Sequence, residues 1–255
     1  MNKILRTIIV WSVLGCMLAG MPTTAKAQKV VFPQQKQAGV ATLKCNAKNF
    51  TLANSLLQAS YSVVNGTLRF NGCKAMDLMP SADLFRIGLA DRTEFSSQDM
   101  KLASVTTENY AADPKAAKGS ERFRGKGVKA VFTRGDLRVE WRAVLRDGSH
   151  YLRTEMSISS GKDVRMDHIV PMIYAVDVRK AKSAPRVVGN TRGAALLSSK
   201  LFAGLETPMG VNTTNLDSAD IANINSRDMV KMEGNWVRHT TLKAGKTWTV
   251  SSVVG

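Results

Sequence analysis

The sequence predicts an all-β protein, an antiparallel β-sandwich or supersandwich of about ten or more strands. Three observations carry this. Apolar residues recur in short alternating runs from residue 42 to the end, the period of strands with one buried face. Glycine-containing tight turns separate several of these runs. No segment carries an apolar stripe at helical spacing over a normal helix length. With 255 residues, 44% of them hydrophobic, the chain is long enough for a full core, which excludes a disulfide-only miniprotein and a disordered tail.

The first 27 residues read as an export signal. Lys3 and Arg6 form a basic end, an apolar stretch follows, and Ala25-Lys26-Ala27 supplies a small-x-small cleavage site before Gln28. Ser12, Gly15, Cys16 and Gly20 interrupt the apolar stretch, which disfavours a membrane anchor. Val13-Leu14-Gly15-Cys16 also resembles a bacterial lipobox, so the exported form is either a cleaved chain starting near Gln28 or a lipoprotein held at Cys16. The expected location is periplasmic, outer-membrane surface or extracellular, with no other membrane span and one domain over 28–255.

The clearest strand lies at residues 137–146, where Leu137, Val139, Trp141, Ala143 and Leu145 alternate with Arg138, Glu140, Arg142, Val144 and Arg146. It follows a run at 128–133 across Arg134-Gly135-Asp136 and precedes a run at 151–158 across Asp147-Gly148. Gly and Asp tolerate the positive φ of hairpin turns, so these three runs form a meander. Further strands are expected at 41–45, 61–70, 84–89, 168–176, 196–205, 236–242 and 247–254, with polar loops at 111–127 and 212–228. The last run, Thr247 to Gly255, stops without a polar tail and reads as a module that hands over to something downstream.

Removal of the signal leaves 33 basic and 20 acidic residues, near +13 against +16 for the whole chain. It also leaves two cysteines, Cys45 and Cys73. In an oxidising compartment these are expected to form a bridge, closing a loop of about 27 residues for roughly 3 kcal/mol. Neither has a second Cys or a His at ligand spacing, so no metal is expected. Residues 115–165 hold 13 basic and 6 acidic residues. A nucleic-acid site would set the bases on one open face with aromatic platforms. Here Arg138, Glu140 and Arg142 share a face on which they can pair with one another and with Glu155 and Arg153, and Trp141 points away. The expectation is a solvated sheet face and no nucleic-acid partner.

No catalytic centre is legible. The chain has no G-x-S-x-G, and Gly125-Lys126-Gly127 opens no helix that could cradle a phosphate. No cofactor is implied. An aldose-epimerase-like enzyme would need a histidine acid and a carboxylate base on one sugar ring; His150, His168 and His239 are the available imidazoles. For sugar binding, Trp236, near Asn235 and Arg238, and Tyr110 are the aromatic candidates, weighed against packing in the core.

Two passages resemble a known family. Glu140-Trp141-Arg142-Ala143-Val144-Leu145-Arg146-Asp147-Gly148-Ser149-His150-Tyr151-Leu152-Arg153 and Leu201-Phe202-Ala203-Gly204-Leu205-Glu206-Thr207-Pro208-Met209 are similar to the N-terminal region of secreted bacterial glycoside hydrolases. These are α-galactosidase-like or α-N-acetylgalactosaminidase-like, sometimes labelled enterotoxins. The stretch 242–255 is similar to the end of that region. The resemblance implies a galactose-mutarotase-like supersandwich that precedes a (β/α)₈ barrel, with the two catalytic aspartates on the barrel. It therefore implies no catalytic residue here, a catalytic barrel as partner, and galactose or N-acetylgalactosamine type glycans as ligands. It also places Glu206 and Pro208 in a loop near the sugar site. A stand-alone carbohydrate-binding protein is the alternative.

Overall fold

The computed structural model describes residues 36–181, 183–207, 209–216 and 229–255. The export signal at 1–27, Cys16 and Pro208 lie outside the described residues. In chain order the strands are β1 (Thr42–Asn46), β2 (Asn49–Ala53), β3 (Gln58–Val64), β4 (Thr67–Cys73), β5 (Arg86–Leu89), β6 (Glu94–Ser96), β7 (Lys101–Tyr110), β8 (Gly125–Arg134) and β9 (Leu137–Arg146). They continue with β10 (Leu152–Ser160), β11 (Val164–Asp177), β12 (Arg186–Val188), β13 (Ala195–Leu197), β14 (Phe202–Leu205), β15 (Val211–Thr214), β16 (Met229–Leu242) and β17 (Thr247–Val254). The one α-helical segment among the described residues is the single turn Val178–Ala181.

All pairings are antiparallel and form three sheets. The first runs β1-β2-β3-β4, the second β12-β13-β14-β17-β10-β9-β8-β7, and the third β15-β16-β11-β5-β6. Leu78 bridges to both Cys73 on β4 and Val176 on β11, which stitches the first and third sheets into one layer. That layer packs on the eight-stranded sheet. Trp141 of β9 meets Tyr61 of β3 at a centroid distance of 5.4 Å, and Phe132 of β8 meets Phe85 at 5.2 Å. Such edge-to-face pairs stabilise a core beyond the area they bury. The fold is an all-β sandwich.

The meander forms as the alternation requires. Leu137, Val139, Trp141, Ala143 and Leu145 are all buried, and β9 pairs with β8 from Arg134↔Leu137 and with β10 from Ser160↔Leu137. Elsewhere the boundaries differ. The expected strand at 61–70 is the hairpin β3–β4, turning at Asn65-Gly66 with φ of 51° and 75°, the positive pair that a type I′ turn demands. The expected strand at 196–205 is likewise two, β13 and β14. The polar loop at 111–127 ends earlier, because Gly125 to Gly127 already belong to β8, and β15 starts the segment expected as a loop at 212–228.

The expected Cys45–Cys73 bridge is absent, and both thiols are free. Cys45 pairs with Phe50 on β1 and Cys73 with Ala59 on β4. These strands are the opposite edges of the four-stranded sheet. Three inter-strand spacings put about 14 Å between the edges, twice the Cα separation that a disulfide spans. Cys45 is exposed, and Cys73 is buried. Burial pushes the Cys73 thiol up despite backbone hydrogen bonds that lower it.

Candidate functional site

The outer face of the eight-stranded sheet carries a cross-linked array of charges. Strand register builds it. Lys129 of β8 stands opposite Arg142 of β9, which stands opposite Glu155 of β10, so charges separated widely in sequence form one row across the sheet. Arg142 donates to Glu140 at 3.0 Å and Glu155 at 3.3 Å, and its Nε lies 3.4 Å from Glu108. Arg138 and Lys129 also reach Glu140, at 3.1 and 3.3 Å.

Arg153 is the anchor of the array. Its side chain is 9% exposed, held by Glu206 at 2.6 Å, Glu155 at 3.3 Å and the Ser251 hydroxyl at 3.2 Å, with Glu121 at 3.9 Å. Val131 and Val144 are buried on the same face beneath the long charged side chains, whose aliphatic stems shield them.

Two of the residues singled out from the sequence belong to this array. Glu206 follows β14 and is fastened to β17, its N–H donating to the Ser251 carbonyl at 2.9 Å. Tyr110 ends β7 and donates its hydroxyl to Glu108. Its ring lies over Gly127, where a Cβ would come within 2.7 Å of Cε2, and carries the Arg146 guanidinium 4.7 Å from its centroid. Arg146 in turn lies over Gly125. The glycines of Gly125-Lys126-Gly127 are thus floors for two flat side chains. Beside Tyr110, an open cleft of about 410 Å³ is lined by Asn109, Arg124, Lys126 and Asp147, with Lys126 donating to Asn109 at 2.7 Å.

Trp236 lies apart from both. It is buried in the sandwich, edge-on to Trp248 at 6.2 Å, and the Arg238 guanidinium covers its ring at 4.4 Å. Two of the histidines meet at one carboxylate, and the third lies apart from them. His168 is tied through Nδ1 to Asp167 at 2.8 Å and through Nε2 to Glu94 at 2.9 Å, and its ring occupies the space that a Cβ on Gly88 would need. His239 binds the other Asp167 oxygen at 2.7 Å, and His150 meets the Lys36 carbonyl at 3.2 Å. The imidazole of His168 and the Glu94 carboxylate touch directly, which leaves no gap for a sugar ring between that acid and base. Among the described residues no cluster of His, Cys, Asp or Glu could hold a metal, and no helix is long and apolar enough to cross a membrane.

The electrostatics favour holding over proton transfer. Partial burial would raise Glu206, but hydrogen bonds from Ser251 and Arg153 outweigh it and hold the carboxyl below its ordinary range. Glu140 is similar: burial raises it, and Arg138 and Lys129 bring it down. Burial, then the bond to Glu108, pushes the Tyr110 phenol well above its ordinary value. These carboxylates are kept ionised, and a general acid needs the opposite treatment.

The pairing of Arg138, Glu140, Arg142, Glu155 and Arg153 follows from the alternation read in the sequence. The reach to Glu108 and Glu206 does not, because it depends on β7 and β14 lying on either side of the meander.

No family model matches the chain, and no curated protein matches it in sequence. Solved structures do. The galactosidase domain of an α-galactosidase–sucrose kinase superposes with a TM-score of 0.56 at 9% identity, over 84% of this chain and 41% of that one. A GH36 α-galactosidase from Geobacillus stearothermophilus gives 0.49 at 10% identity, over 84% and 40%. An α-N-acetylgalactosaminidase from Bifidobacterium bifidum gives 0.46 at 15%, over 88% and 36%. The chain spans about two fifths of the length of these structures, so it corresponds to a partial domain set, and what it shares with the α-galactosidase domain is the sandwich fold.

Proposed function

We propose that this chain is an exported, non-catalytic β-sandwich module of an α-galactosidase-like glycoside hydrolase, which supports a catalytic barrel or helps to shape its sugar site. The observation that carries the reading is the superposition on two fifths of an α-galactosidase domain, covering 84% of this chain. The charge array adds to it. Its carboxylates are consumed in pairs with Arg153, Arg142 and Lys129, which suits a rigid polar face better than acid–base chemistry. Such a face, already paired, loses less when a second domain covers it than unpaired charges would, since the charges keep their partners.

The test is hydrolysis of aryl α-galactosides and aryl α-N-acetylgalactosaminides by the purified protein. The expected result is no turnover, with turnover restored when a catalytic barrel is supplied. Turnover by this chain alone, surviving rigorous purification and lost in Glu206→Gln, would overturn the non-catalytic reading.

The second reading is a stand-alone carbohydrate-binding protein, favoured by Tyr110 beside the cleft of Asn109 and Lys126. Glycan-array binding lost in Tyr110→Ala and kept in Trp236→Phe would support it.

A further inference from the structure

The excess positive charge of this protein is distributed unevenly. Residues 178–205 contain six basic residues, Arg179, Lys180, Lys182, Arg186, Arg192 and Lys200, and no Asp or Glu. Lys180 is tied to Asp177 at 3.2 Å and Lys200 to Asp77 at 2.8 Å. Arg186 and Arg192 make no ion pair among the described residues. Arg186 opens β12 on the rim of a cleft of about 520 Å³, a volume in the range of small-molecule sites.

The lining of that cleft is selective. Ser183 accepts the Ser199 N–H at 3.2 Å, which occupies a lone pair and leaves its own hydroxyl proton to donate. Val188, Leu197 and Leu216 form an apolar wall, and the first two are 48% and 39% exposed. Among the described residues no carboxylate lines the cleft. An unpaired guanidinium, free hydroxyl donors and an apolar wall together suit a ligand with an anionic group and a C–H surface.

We propose that this cleft binds an acidic unit of an anionic glycan, a uronate or sulfated sugar. The guanidinium of Arg186 forks onto the carboxylate or sulfate, as its planar donor pair favours. The wall takes the sugar's C–H face. The choice of a sugar rests on the reading of the chain as a glycoside-hydrolase module. A lipid surface would recruit the bases of this region together, and two of them already have carboxylate partners.

The experiment is calorimetric titration of the full chain with oligogalacturonate and with chondroitin sulfate oligosaccharides. Neutral galacto-oligosaccharides and phosphatidylglycerol vesicles form separate arms, and circular dichroism melting checks each variant's fold. The expected result is that at least one acidic oligosaccharide binds. Its affinity falls at least about tenfold in Arg186→Glu, falls by a smaller factor in Arg186→Lys, which keeps the charge and loses the fork, and is unchanged in Lys162→Glu, a change on a distant turn. The proposal is overturned if neither acidic oligosaccharide binds, if Lys162→Glu weakens binding as much as Arg186→Glu, or if vesicles bind and the oligosaccharides do not. Its failure is separable from that of the hydrolase-module reading, since turnover of aryl glycosides does not involve Arg186.

Discussion

Residues 115–165 and residues 178–205 are both rich in Lys and Arg, yet they present opposite surfaces. In the first stretch the bases lie across adjacent strands whose register sets glutamates beside the three central guanidinium groups, Arg138, Arg142 and Arg153, and the last two each meet three carboxylates. In the second the chain folds into short edge strands and turns with no acid of its own, and Arg186 has no ion pair among the described residues. Counting charges would assign anion binding to the first stretch. The geometry favours the second, because there a guanidinium with no carboxylate partner among the described residues borders a cleft with an apolar wall.

The largest expected effect comes from breaking the paired stretch at its anchor. Arg153→Leu leaves Glu206, Glu155 and Glu121 facing one another around a buried position. The expected loss is about 3 kcal/mol, measured by urea unfolding with an unchanged slope. A smaller loss, about 2 kcal/mol, is expected for Gly125→Ala. Its Cβ would meet the Leu145 carbonyl and Arg146 Cδ, each at 2.7 Å, and backbone cannot yield as a side-chain tip does.

Acid should dissolve the contrast. Glu206 and Glu140 are held below their ordinary values, so each contributes stability that is full above the unfolded-state value, near 4.3, and lost as pH falls through the lower folded-state value. Melting temperature is therefore expected to drop below about pH 4, and to drop less steeply in Glu206→Gln. The smallest effect belongs to the unpaired stretch. Arg186→Glu should change stability by no more than about 0.5 kcal/mol, and a larger change in a thermal melt would mean that Arg186 is engaged after all.

Several features were legible because one physical rule decided each. The alternation of Leu137 to Arg146 reports a single buried face, and the meander followed from it. Asn65-Gly66 was equally legible as a hairpin, and reading 61–70 as one strand overlooked it. By contrast, β7 hides its period. It is an edge strand with a register shift between Leu102 and Ser104, which reverses the inward and outward positions partway along, and most of its residues are exposed. The acid-free run at 178–205 was visible in the sequence, but its meaning depended on which bases find partners.

The amino-acid order by itself determined the class of structure, since a period of two with glycine turns admits antiparallel sheets and little else. It also determined which face of the meander is apolar and which is charged, because that needs only local geometry. The tertiary structure alone decided what meets across strands. It set Cys45 and Cys73 on opposite edges of one sheet, brought Glu206 to Arg153 from 53 residues away, buried Trp236 under Arg238, and left Arg186 open. Such contacts depend on strand order, and strand order is a choice among long-range pairings that local sequence does not encode.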